Sequence, residues 1–245
     1  MKHVLNNATK GLTEPWIAYK EGVVYYMPKE SIPDYDIQIT YNVTDISAPT
    51  KLFATYGSQA YLTEMSIDGG EYNVTASTHQ FGNVGEHTVR YKVDNSFTSF
   101  TVPLFYQVNA TKVIIADSVT YIGHNAFHSC VSLTSVTIGS GVTSIGGSAF
   151  SNCSSLTSVT IPNSVTRIDT NAFGSCTSLT SVTIPNSVTS IGNQAFYNCS
   201  SLTSVTYNGT TAQWNTISKG SDWKYNVPST CLVHCTDGDI PINET

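Results

Sequence analysis

Six cysteines, six histidines and two lines of hydroxyl side chains are the groups in this 245-residue chain whose types and spacing could do chemistry. Cys130, Cys153, Cys176 and Cys199 recur at a fixed interval of 23. Such spacing puts them in one column of a stacked structure, where free Cys behaves as a small buried hydrophobe. Neighbouring rungs would be close enough in Cα distance for a disulfide, but their parallel side chains give it poor geometry. A buried thiol ladder is therefore expected. Cys231 and Cys235 flank His234, yet a zinc site needs a second ligand pair, and on a strand His234 would point to the opposite face. No metal site is expected there, and the oxidation state of Cys231 and Cys235 stays open. The run GSGVTSIGGSAF (Gly139 to Phe150) has the glycines of a phosphate loop without its Gly-Lys-Ser/Thr. Asp237-Gly238-Asp239 has too few oxygen ligands for a calcium loop and reads as a solvated turn. The histidines are scattered, no G-x-S-x-G is present, and the carboxylates within residues 110–207 are Asp117 in the first coil and Asp169 alone beyond it. The expectation is a protein that is not an enzyme and uses no cofactor.

The hydroxyl lines are the remaining candidate. Ser135, Ser158, Ser181 and Ser204 form one column, and Thr137, Thr160, Thr183 and Thr206 another two residues on. Both should face outward, opposite the core Val and Ile. They could form an uncharged recognition face for protein or carbohydrate. Equally, Thr suits an exposed strand and Ser can be filler. Uniformity suits a scaffold, since specific sites break a repeat. The departures are Tyr121, Arg167, Asp169, Tyr197 and Tyr207. The candidate binding face comprises the eight Ser and Thr with Tyr121, Arg167 and Asp169.

Charge narrows the partners. Charged residues make up only 11% of the chain and the net charge is −6, which excludes the clustered Lys and Arg of nucleic-acid binding. Between Ser118 and Ser218 only Arg167 and Asp169 are charged. No apolar run approaches the roughly 18 residues of a membrane span. The beginning, MKHVLNNATKGLTEPW, lacks the apolar stretch of a secretory leader, so neither leader nor membrane insertion is expected.

The elements that position these residues are set by a repeat. Leu156–Ser178 and Leu179–Ser201 agree at sixteen of 23 positions, and Phe127, Phe150, Phe173 and Phe196 keep the same interval. A fixed period of this size signals a solenoid. In one copy the apolar positions are Leu156, Val159, Ile161, Val165, Ile168, Ala172, Phe173 and Cys176. The opening L-x-x-V-x-I makes a short strand, Asn163-Ser164 after Pro162 makes a turn, and V-T-R-I returns the chain. One coil cannot bury that face, but stacked coils can.

These motifs resemble the BspA-like leucine-rich repeat, a 23-residue bacterial repeat with the pattern L-x-x-L-x-L/I-P-x-x-V-x-x-I-G-x-x-A-F-x-x-C. The first coil departs at Ala110 and Ala116, and the second at Gly139 in place of Pro. The resemblance implies a binding or adhesion protein of bacterial surfaces, with no fixed set of ligand residues.

Around the repeats the pattern changes. Residues 36–109 alternate as short strands: Ile37, Ile39, Tyr41 and Val43; Leu52 and Ala54; Tyr61 and Met65; Tyr72 and Val74; Val89, Tyr91 and Val93. Turns are expected at Tyr56-Gly57-Ser58, Asp68-Gly69-Gly70 and Asn83-Val84-Gly85. GEHTVRYKV with FTSFTVPLF resembles the last hairpin of immunoglobulin-like bacterial modules, and a β-sandwich is expected. The expected fold is thus mainly β: an N-terminal Ig-like β-sandwich, then a short leucine-rich-repeat solenoid with a C-terminal capping strand. Residues 1–35 form an arm and an aromatic hairpin turning at Glu21-Gly22, residues 110–207 the repeats, and residues 208–245 the cap. In the cap, 227–236 is read as a last parallel strand, with Cys231 and Val233 level with Val205 and Tyr207. Trp214, Ile217 and Trp223 close the core. Two displays fit: a phage or prophage virion component (fibre or decoration protein) anchored, and in a fibre trimerised, through its N-terminal hairpin, or a bacterial cell-surface adhesin. The family's usual biology favours the adhesin, but the missing leader and membrane anchor tip the expectation toward the virion, with the adhesin as the alternative.

Overall fold

The computed structural model describes residues 16–20, 23–27, 37–53, 62–72, 77–93 and 105–244. The chain divides into two compact units, Met1–Tyr35 and Asp36–Thr245. In the first, β1 (Trp16–Lys20) and β2 (Val23–Met27) pair antiparallel with Lys20 opposite Val23; the expected turn at Glu21-Gly22 lies outside the described residues. The expected arm over 1–14, the turn at Tyr56-Gly57-Ser58 and the stretch Phe97 to Leu104 lie outside the described residues.

The second unit begins with an antiparallel sheet. Its strands are β3 (Ile37–Val43), β5 (Leu62–Ile67), β6 (Gly70–Tyr72) and β8 (Gly85–Val93), ordered β3-β8-β5-β6. The period-two pattern works as expected: Ile37, Ile39, Tyr41, Val89 and Tyr91 are buried and Asn42 is exposed. Asp68 (φ 48°) and Gly69 (φ 85°) take the two left-handed positions of the β5–β6 turn. A ribbon of β4 (Thr50–Lys51) and β7 (Thr78–His79) packs on the sheet, where the Tyr41 and Tyr91 hydroxyls both donate to the Leu52 carbonyl, at 2.8 and 3.0 Å. Of the two facing sheets of a sandwich, the described residues give this sheet and that ribbon.

The solenoid carries two stacks of parallel strands. One face holds β9 (Ala110–Ile115), β11 (Ser135–Ile138), β13 (Ser158–Thr160), β15 (Ser181–Ile184), β17 (Ser204–Tyr207) and β19 (Leu232–Cys235). The other holds β10 (Tyr121–Ile122), β12 (Ser144–Ile145), β14 (Arg167–Ile168), β16 (Ser190–Ile191) and β18 (Ser218–Lys219). Asn163-Ser164 form the turn between the halves of their coil, as expected. The first face divides into two sheets: β9 and β11 join the N-terminal strands, and β13 starts the second. β9 pairs antiparallel with β3 on one side and parallel with β11 on the other. On this face β9 therefore presents no open edge, while β10 is the end strand of the other stack. The changes of pattern at 109/110 and 207/208 fall inside one compact unit with one continuous core.

Between the stacks run the Phe and Cys columns. Phe127, Phe150, Phe173 and Phe196 stack with centroids 5.3–5.4 Å apart and planes within 4–7°. Phe105, read from the sequence with the sandwich strands, instead heads this column, 5.3 Å from Phe127. Each ladder thiol donates to the carbonyl of a Phe in the preceding coil, as Cys176 does to Phe150 at 3.2 Å. All six cysteines are free. Burial pushes the thiols up, Cys130 and Cys199 to about 12. The A-F-x-x-C corner turns sharply by placing two residues per coil in the left-handed region, Asn171 (φ 57°) and Ser175 (φ 58°) in one coil, Gln194 (φ 56°) and Asn198 (φ 56°) in the next. The glycines of the supposed phosphate loop serve packing. A Cβ at Gly141 would lie 1.9 Å from the Asp117 carbonyl oxygen.

The cap departs from expectation in register. Val233 stands opposite Val205 and His234 opposite Thr206, so Cys235, not Val233, comes level with Tyr207. The last coil is longer than 23 residues because it holds α1 (Thr211–Thr216), closed by a capping box of Thr210 and Gln213. Trp214, Ile217 and Trp223 are buried over the core end, as expected. β20 (Gly238–Pro241) folds back antiparallel on β19 and covers the last edge. Asp237 lies in the β19–β20 turn, where its carboxylate accepts from the Thr211 amide at 2.7 Å.

Candidate functional site

The strand pattern S-V-T fixes the hydroxyl columns. Val136, Val159, Val182 and Val205 point inward and are buried, so their neighbours must point outward. Ser158, Ser181 and Ser204 stand directly opposite one another on adjacent strands, as do Thr160, Thr183 and Thr206. Ser135 and Thr137 lie opposite Lys112 and Ile114 of β9. All eight Ser and Thr are exposed or half-buried.

Hydrogen bonding distinguishes these hydroxyls from others nearby. Thr134, Thr157, Thr180 and Thr203 flank the same strands, and each donates its Oγ1 to the carbonyl one coil earlier, at 3.0–3.4 Å. Thr143, Thr166 and Thr189 do the same along the second stack, at 3.0–3.3 Å. Those hydroxyls tie coil to coil. The eight of the Ser and Thr columns have no hydrogen-bond partner among the described residues, and their donors and acceptors face solvent. The face is uncharged in its middle. Ion pairs mark its ends, Lys112–Glu86 at 3.1 Å and His234–Asp239 at 2.9 Å.

Tyr121, Arg167 and Asp169 are not part of this surface. They belong to the second stack, where the outward row reads Tyr121, Ser144, Arg167, Ser190, Ser218. Arg167 donates through Nε and Nη2 to one Asp169 oxygen, at 3.1 and 2.6 Å. Burial and the Asp169 carboxylate push the Tyr121 phenol up, partly offset by Arg167. The eleven candidates thus form two surfaces. Of the other departures from the repeat, Tyr207 is buried and belongs to the core. Tyr197 stacks on Tyr225 with centroids 5.4 Å apart.

Sequence reasoning missed the residues that complete the columns. Lys112 and Ile114 extend the hydroxyl face at one end, Leu232 and His234 at the other. It also missed the stack of Tyr106 on His128, at 5.2 Å. These residues lie in the first and last coils, where the repeat text fails. The S/T-x-x-Q box at Thr210 was a usable signal for the longer last coil. Cys231 is buried, while His234 pairs with Asp239 on the outer face. Among the described residues no group of three or more His, Cys, Asp or Glu converges. No described helix is long and apolar enough to cross a membrane.

Stacked short parallel strands with a Phe column and a capped end define a leucine-rich-repeat solenoid. Residues 98–218 match a family model described as the BspA type leucine rich repeat region, in six copies, and the chain belongs to that family. Repeats of this family serve binding and adhesion. Among solved structures, the chain is similar to a leucine rich cell surface protein from Faecalibacterium prausnitzii, with 40% identity and a TM-score of 0.43 over 44% of this chain and 28% of that one. It is similar to a leucine rich repeat protein of T. pallidum, with 26% identity and a TM-score of 0.43 over 54% of this chain and 72% of that one. A leucine-rich repeat protein from Bacteroides ovatus shows 26% identity and a TM-score of 0.33 over 51% of this chain and 37% of that one. The chain thus spans well under half the length of the first and third of these. No curated protein matches.

Proposed function

We propose that this chain is a non-enzymatic recognition module displayed at a cell surface, and that it contacts its target through the hydroxyl face of β11, β13, β15 and β17. One observation carries the reading: the Ser and Thr columns keep their hydrogen-bonding capacity free, while every neighbouring Thr column spends it on the solenoid. An uncharged array of donors and acceptors suits a protein backbone or a glycan, and solenoids bind along extended faces. The Asp36–Thr245 unit, fused through β3 and β9, holds that face rigidly. The Ig-like sandwich is proposed as the spacer beneath it. The separate N-terminal unit supplies the attachment. Its hairpin also suits the base of a fibre, which keeps the phage or prophage virion as a second carrier of the same module. A trimer that becomes monomeric on removal of residues 1–35, encoded beside capsid or tail genes, would select the virion. The test of recognition itself is adsorption of the fluorescently labelled chain to intact epithelial and bacterial cells. Saturable adsorption, displaced by unlabelled chain, is expected. Adsorption that rises linearly without displacement would contradict the proposal.

A further inference from the structure

The second stack breaks its own packing rule at one place. Its positions two residues beyond the outward row are Gly146, Asp169, Gly192 and Gly220 in successive coils. The glycines there are required by close backbone approach. A Cβ at Gly192 would lie 2.5 Å from the Thr170 nitrogen and 2.7 Å from the Asp169 carbonyl carbon, and one at Gly146 would lie 2.8 Å from the Ile122 oxygen. One at Gly220 would lie 2.4 Å from the Asn193 nitrogen. Asp169 inserts a carboxylate into this column. A local rule broken in a single coil points to a candidate functional position.

What surrounds Asp169 has a definite chemistry. Its side chain is only 19% exposed, whereas Arg167 is 61% exposed. Both Arg167 hydrogen bonds end on the same oxygen, Oδ1. The other carboxylate oxygen can still accept, and the guanidinium still has outward N–H donors. Acceptor and donor stand side by side, which suits two adjacent hydroxyl groups. Two strands away, about 10 Å along the stack, is Tyr121. Its hydroxyl reaches over Gly146, where a Cβ would be 2.6 Å from it. The half-buried ring offers an apolar surface with a polar tip, and Ser144 lies between. The pair is neutral overall, so it offers an anion little. It is too polar for a hydrocarbon chain. A neutral sugar has both an apolar ring face and vicinal hydroxyls.

We infer that Tyr121, Arg167 and Asp169 form a binding site for a neutral saccharide, distinct from the hydroxyl face, with the Arg167–Asp169 pair engaging a vicinal diol and the Tyr121 ring packing beside the sugar. The site does not require the hydroxyl face to be a contact surface.

The test is ligand-observed and protein-observed NMR on the full chain. The probes are methyl α-mannopyranoside, methyl β-galactopyranoside and methyl α-fucopyranoside, added separately, with inorganic sulfate as the anionic control. At least one glycoside should give saturation transfer and move the Arg167 Nε–H resonance, and sulfate should not. The variant joining Arg167→Ser with Asp169→Gly reproduces Ser190 and Gly192 of the next coil, so it should fold with an unchanged or raised melting temperature. It should lose the saturation transfer. Tyr121→Ser should weaken it at least tenfold, while Thr160→Lys should leave it intact. No response to any glycoside in the wild-type chain, an undiminished response in the double variant, or displacement by sulfate would each overturn the inference. None of these results would bear on cell adsorption through the hydroxyl face.

Discussion

Replacing Phe173 by Leu tests whether the core is a nearest-neighbour ladder. Phe173 is fully buried, and its ring stacks on Phe150 and Phe196 at 5.4 Å with planes 7° apart in both cases. Each such aromatic pair is worth about 0.5–1.5 kcal/mol beyond area burial, so losing two costs about 1–3 kcal/mol. The smaller side chain forfeits about 1 kcal/mol more in buried apolar surface. The expected loss is about 2–4 kcal/mol, or roughly 5–15 °C in Tm for a body of this size. Urea and thermal melts followed by circular dichroism measure it. The sharper result is the coupling. A double-mutant cycle of Phe150→Leu with Phe173→Leu should give about 0.5–1.5 kcal/mol, because their rings touch. Phe127→Leu with Phe173→Leu, two coils apart at about 10 Å, should be additive. Equal coupling in both cycles, or a loss under about 1 kcal/mol for Phe173→Leu alone, would refute the ladder.

Two further perturbations address the fold. Burial raises the folded thiols of Cys130 and Cys199 to about 12 and of Cys231 to about 11, and pushes Cys153 and Cys176 up as well. The unfolded thiols titrate near about 8.5, so the stability from keeping them protonated is complete below that pH and is lost as pH rises toward 12. The urea midpoint should be level from neutral pH to about 8.5 and then fall; a level profile through pH 11 would contradict the buried ladder. Gln194 is exposed and held at φ 56°. Gln194→Gly should therefore stabilise by about 0.5–1 kcal/mol, the left-handed strain relieved less the entropy glycine adds to the unfolded chain, and a lower urea midpoint would contradict this.

What was legible in the sequence depended on periodicity. Phe127 to Phe196 and Cys130 to Cys199 sit at a constant interval, so their columns and the outward hydroxyls between them could be placed without coordinates. The ends could not. Phe105 is 22 residues before Phe127, and Val233 is 28 after Val205, so a search at 23 misplaces both. Tyr207 broke the repeat text yet fills a core position, since its side chain packs on Trp214 at 5.2 Å in the cap. The candidate site was legible as columns but not as surfaces. The distance in sequence from Thr160 to Arg167 does not reveal that a turn sends them to different stacks. Nor does sequence reveal which Thr hydroxyls are spent on the preceding coil, because Thr157 and Thr160 occupy equally regular columns.

The central claim, that the free hydroxyl face makes the contact, is most directly tested by placing a single charge on either stack and measuring adsorption to cells. Thr160→Lys and Thr183→Lys, made separately, put a long cation into the hydroxyl face without touching the core. Ser144→Lys and Ser190→Lys do the same on the other stack. Either Thr substitution should abolish saturable adsorption at unchanged Tm, while the Ser substitutions should leave it intact. Adsorption retained by Thr160→Lys and Thr183→Lys would contradict it.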